Sequence, residues 1–175
     1  MTDLRLPLLA VLCAVSVACE SSPKKYVWDG RNSTIASSGR LIYGVKTTAY
    51  THSEADHLPY GVKSAIGSDL KYGNVRSAAA DWSVYPVGTV FKVQGEPYLY
   101  QVDDYGSALV GTRTIDLYRP SMETMNGWGA RRVNIDVIHW GSFAQSLSIM
   151  KSSKGSKSHV TQMISEIEHR SPPSS

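Results

Sequence analysis

The chain has 175 residues, 42% of them hydrophobic and 19% charged, with a formal net charge of +3 at pH 7. That length buries one good core and not two, and the composition is that of a globular domain. The charge is mild and no Lys/Arg cluster is interleaved with aromatics, so nucleic acid is set aside as a partner.

Leu6 to Ala18 is an almost unbroken apolar run behind Arg5. It is too short to span a bilayer comfortably and has the length of a signal-peptide core. Ser16-Val17-Ala18 supplies small residues for cleavage, and Cys19 follows at once. Residues 1–18 are therefore expected to be a signal peptide. The order also fits a bacterial lipobox, with Ser16 where Leu is usual, which would make Cys19 the lipid-bearing first residue and a membrane anchor. Cys13 leaves with the signal, so the mature chain has no disulfide and depends on its packed core. The expected location is the bacterial cell envelope, as an exported periplasmic protein or an outer-membrane lipoprotein. Residues 19–40 are polar, Ser-rich and read as a flexible tether.

A domain is expected over residues 41–140. Ten Tyr against two Phe, with 14 Gly, lean toward β structure. Leu41 to Tyr50 is the first strand candidate. His52, Glu54, Asp56 and His57 follow in a loop; they are metal-ligand types without the spacing of a common zinc motif, and read as a solvated loop. Val75 to Ala80 is a strand leading into Asp81. Pro86-Val87-Gly88 is a turn before the strand Thr89 to Val93, and Gly95-Glu96-Pro97 is a turn before Tyr98 to Val102. Asp104-Tyr105-Gly106-Ser107 has turn chemistry. Thr114 to Tyr118 is a strand, and Pro120-Ser121 opens a short helix through Met125, with Ser121 as the N-cap. Val133, Ile135 and Val137 alternate with polar residues, as in a half-buried strand. Asp103 and Asp136 read as solvent-facing strand residues. Many short strands with one or two short helices make the expected fold mainly β, a small β-barrel. Residues 141–175 form a tail, partly helical or disordered. Within it Val160, Met163, Ile164 and Ile167 have helical spacing.

Asp116 is the residue out of place. It sits in the β-branched run Thr114-Ile115-Asp116-Leu117-Tyr118, where aspartate is depleted because it packs poorly on a pleated surface. Burying it without partners would cost several kcal/mol. Asp104 and Asp81 are open to a simpler reading, as turn formers.

These residues, in order, resemble the three-aspartate (3D) domain family of double-psi β-barrels. That family includes Sps/YuiC-like proteins and the catalytic barrel of membrane-bound lytic transglycosylase A. The carriers are Thr48-Ala49-Tyr50, Ala79-Ala80-Asp81, Pro86-Val87-Gly88-Thr89, the stretch Asp104 to Gly111, Ile115-Asp116, and Trp128-Gly129-Ala130-Arg131-Arg132. Four departures stand inside the pattern: Ser107 replaces a Gly, Val110 replaces a Lys, one extra residue lies between Gly111 and Asp116, and Trp82 replaces the Pro that often follows the first Asp.

The resemblance implies a lyase that cleaves the MurNAc–GlcNAc bond of peptidoglycan without net addition of water. Asp116 matches the acid/base position, with Asp104 and Asp81 as supporting acids. Thr48, Tyr50, Tyr105, Gly106, Ser107, Gly111 and Trp128 are the implied substrate-binding residues. Tyr50, Tyr105, Trp82 and Trp128 are placed to stack on sugars, although aromatics in a small barrel also serve as core. Arg131 and Arg132 read as exposed strand-edge charge, or as partners of peptide carboxylates. No cofactor and no metal is expected, and the partner is the peptidoglycan glycan strand. The alternative is a non-catalytic glycan-binding module on the same barrel, kept open by Val110; a hydrolytic muramidase is a third reading.

Overall fold

The computed structural model describes residues 40–54, 58–153 and 157–169. The expected signal peptide, Cys19, the tether up to residue 39, and Asp56 and His57 lie outside these residues. Six strands are present: β1 (Arg40–Tyr50), β2 (Val75–Ala80), β3 (Val90–Val93), β4 (Leu99–Asp104), β5 (Ile115–Tyr118) and β6 (Arg131–His139). They close into a barrel in the order β1-β5-β2-β4-β3-β6, with β6 returning to β1. Two pairs are parallel, β1 with β5 and β2 with β4; the rest are antiparallel. This is the small, mainly β, double-psi barrel that the sequence leads one to expect.

The strands arise where β-branched and aromatic residues alternate between turn signals. Ile115 and Leu117 of β5, Tyr100 and Val102 of β4, and Ile135 of β6 point inward and are fully buried. Asp116, between Ile115 and Leu117, and Ala79, between the fully buried Ala78 and Ala80 of β2, therefore face the outer side of the wall.

Three α-helices are described: α1 (Met122–Trp128) within the barrel segment, and α2 (Phe143–Ser152) and α3 (Ser158–Glu168) in the segment after residue 141. Ser121 caps α1, its Oγ accepting from Thr124 N, as its sequence position predicts. The two C-terminal helices are not a detached tail. Met150, Val160, Met163 and Ile167 are buried in the same apolar cluster as Phe91, Ile115 and Ile135. Ser83 Oγ donates to Glu166 Oε2 at 2.7 Å and fixes α3 against the loop after β2. Among the described residues no helix is long and apolar enough to cross a membrane.

Candidate active site

One row of residues crosses four strands on the outer side of the barrel. Thr48 of β1 is in register with Asp116 of β5, Asp116 with Ala79 of β2, and Ala79 with Asp104 of β4. The last pairing depends on an irregularity. The β2–β4 register runs Ala78 to Val102 and then Ala79 to Asp104, so Asp103 is an extra residue in β4. A bulge of this kind places two successive side chains on one face. It brings Asp104 into the row and leaves Asp103 beside it.

Asp104 and Asp116 both line a cavity of about 680 Å³. Its floor is Ala49, Tyr50 and Ala79. Its walls are the 63–67 loop, the 104–109 loop, and the start of α3 with Lys157, His159 and Val160. Asp104 is buried and held by three donors. Oδ1 accepts from Ala65 N at 3.0 Å and from Tyr105 N at 2.9 Å, and Oδ2 accepts from Tyr50 Oη at 3.1 Å. Asp116 is half-buried, and its Oδ1 accepts from Thr48 Oγ1 at 2.7 Å. Burial pushes the Tyr50 phenol well above its ordinary value, and the neighbouring Asp104, Asp103 and Asp116 carboxylates push it further. Tyr50 therefore stays protonated and remains a donor to Asp104. His159 is shifted down, first by burial and then by Lys157, which favours a neutral imidazole on the wall. Its ring lies 6.0 Å from that of Tyr105, which in turn meets Trp82 edge-on at 4.9 Å.

Asp81 does not reach this cavity. It is fully buried; Oδ1 accepts from Ser83 N at 2.8 Å and Oδ2 from Gly111 N at 2.7 Å. Gly111 has φ +76°, a conformation that a side chain disfavours. Asp81 and Gly111 together pin the far end of the loop that carries Tyr105, Gly106 and Ser107. Trp82 is also core: it is fully buried and its Nε1 donates to Asp104 O at 2.9 Å. Trp128 lines a separate depression, described below.

Asp103 corrects an expectation. It is not solvent-facing but fully buried, with Oδ2 accepting from Lys71 Nζ at 2.7 Å and from Ser77 Oγ at 2.8 Å. Alternation from Val102 predicts an outward side chain, and that direction holds. The chain over residues 63–73 covers this part of the wall, and no local pattern announces such a cover. Lys63, Ser64, Lys157 and His159 were missed for the same reason, since they reach the cavity from loops and a helix with no motif.

Residues 76–139 match the family model of the 3D domain. No curated protein matches the chain. Among solved structures, the crystal structure of MltA from E. coli aligns with 26% identity and a TM-score of 0.38. The alignment covers 46% of this chain and 28% of that one, so only about a quarter of MltA has a counterpart here. The matched residues 76–139 run from β2 to the end of β6, in a barrel that β1 closes.

Proposed function

We propose that the protein is a peptidoglycan lytic transglycosylase of the cell envelope, with Asp116 as acid and then base. The observation that carries this reading is the pairing of Asp116 and Asp104 across Ala79 in one cavity. Adjacent strands are about 4.8 Å apart, so the two Cα atoms stand roughly 10 Å apart with only a methyl group between them. Ala79 thus leaves room for a sugar between two carboxyl groups.

In this reading the Asp116 carboxyl gives its proton to the glycosidic oxygen as the bond from C1 of MurNAc to O4 of GlcNAc breaks. The resulting carboxylate takes the proton of the MurNAc C6 hydroxyl. That oxygen closes on C1 and yields 1,6-anhydro-MurNAc, with the proton returned to Asp116 and no water consumed. Thr48 orients Asp116 through its hydroxyl. Asp104, fixed by Tyr50, Ala65 N and Tyr105 N, supplies negative charge opposite the carbon where positive charge develops. Val110 packs against the barrel core and does not line the cavity, so the residue that replaces the family Lys leaves these contacts intact.

Digestion of purified peptidoglycan followed by mass spectrometry tests the proposal. Anhydro-muropeptides are the expected product, and Asp116→Asn should lower turnover by about 10²–10⁴-fold while the barrel still folds. Reducing-end sugars would make the protein a hydrolase. Intact sacculi that retain the protein would make it a binding module.

A further inference from the structure

A second concave surface lies between the start of β2, the turn before β4, α1 and the start of β6. It is a depression of about 390 Å³ lined by Arg76, Arg119, Arg131, Tyr72, Tyr98 and Trp128, with Glu96 as its acid. The guanidinium of Arg76 lies 3.3 Å from the ring centroid of Tyr98 and 3.9 Å from that of Tyr72. Arg119 and Arg131 lie 4.7 Å and 4.3 Å from the ring of Trp128. Arg76 and Arg119 are buried, 7% and 4% exposed. Among the described residues no carboxylate comes within ion-pair distance of any of the three. Glu96 instead accepts from Tyr100 Oη at 3.3 Å. The indole N–H of Trp128 is buried with no hydrogen-bond partner among the described residues.

Each of these facts is unfavourable alone. Buried cations ordinarily have a counter-charge, and among the described residues the guanidiniums meet only ring faces and neutral acceptors: Arg76 donates to Gly73 O, Arg119 to Tyr100 Oη, and Arg131 to Gly127 O and Trp128 O. A buried N–H ordinarily has an acceptor. An anion whose oxygens accept from the guanidinium groups supplies the missing counter-charge. We propose that this depression is a carboxylate-binding site, separate from the cavity of Asp116. A planar guanidinium offers paired N–H groups that match the two oxygens of a carboxylate. The carboxylate has two chemical sources, the free end of a peptide and the lactyl group of an acidic sugar. The assignment does not rest on the catalytic reading. The two sites are nevertheless joined, since Tyr72 meets Tyr118 edge-on at 6.2 Å and Tyr118 meets Tyr50 at 5.6 Å.

The test is an NMR titration of the full chain that follows the Trp128 indole N–H. N-acetyl-D-alanine represents the peptide source and N-acetylmuramic acid the sugar source, each beside its methyl ester and beside inorganic phosphate. At least one acid should move the Trp128 resonance while its ester does not, and the acid that moves it identifies the source. Arg131→Gln should weaken that binding by about tenfold or more, the effect of losing a charge-assisted hydrogen bond. Asp116→Asn should bind as the parent does, so this site and the catalytic reading fail separately. A resonance unmoved by both acids, moved equally by the esters, or moved as strongly by phosphate overturns the proposal. The ester comparison needs no variant, so the outcome stands even where Arg131→Gln disturbs α1.

Discussion

Asp103 shows how one carboxyl couples the barrel wall to pH. Burial raises its affinity for a proton, and this outweighs the opposing pull of Lys71 and Ser77. A carboxyl whose value is raised in the folded state binds its proton more tightly there than in the unfolded chain. Its stabilising contribution is complete below the ordinary Asp value of 3.8 and is lost as pH rises through the raised one. Asp103→Asn cannot titrate. Thermal unfolding at stepped pH should therefore show the variant gaining on the parent as pH climbs through that window, and a constant gap would refute this account. At this scale the sequence was partly readable. Asp116 stood out because an acid within an apolar strand has no packing role, and Asp104 followed from the motif. Asp81 is drawn by the same motif, yet its oxygens hold two backbone N–H groups. Composition cannot separate a carboxylate that holds a loop from one that meets a substrate.

At the scale of elements, the joint between β6 and α2 is the tightest point. A Cβ on Gly141 would lie 2.1 Å from Val87 O, 2.5 Å from Pro86 O and 2.6 Å from Thr89 N. All three are backbone atoms, so nothing can rotate away. Val87 N also donates to Ser146 Oγ of α2 at 3.0 Å, which ties the helix to the same turn. Gly141→Ala should cost about 1–3 kcal/mol in urea unfolding, the range for forced overpacking. A smaller loss would mean that the 86–89 turn yields. The strands were legible almost to the residue because alternation is local: β2 runs from Val75 to Ala80 as expected, and β6 is built on Val133, Ile135 and Val137. The docking of α3 was not legible. The spacing of Val160, Met163 and Ile167 fits a helix with one apolar face, but spacing cannot say what that face meets. It meets the barrel core, and so carries His159 to the cavity wall.

For the whole molecule, the order in which strands lie around the barrel differs from their order in the chain, and periodicity holds no information about it. Only the ordered set of motifs pointed to it. The row Thr48, Asp116, Ala79 and Asp104 draws on both parallel pairings, β1 with β5 and β2 with β4. Thr48 and Asp116 stand 68 positions apart. Contacts so distant in sequence form late, because the loop between them must be closed first. Partly folded chains therefore lack a working site, whatever strands they have made. In refolding from urea, turnover should return together with amide protection of Ile115–Tyr118 and never ahead of it. Turnover that returned first would show that a sub-barrel suffices. The crossed wiring of the wall thus acts as a safety catch: under the proposed function, a chain that would cut the polymer around a cell stays harmless until its last strand is seated.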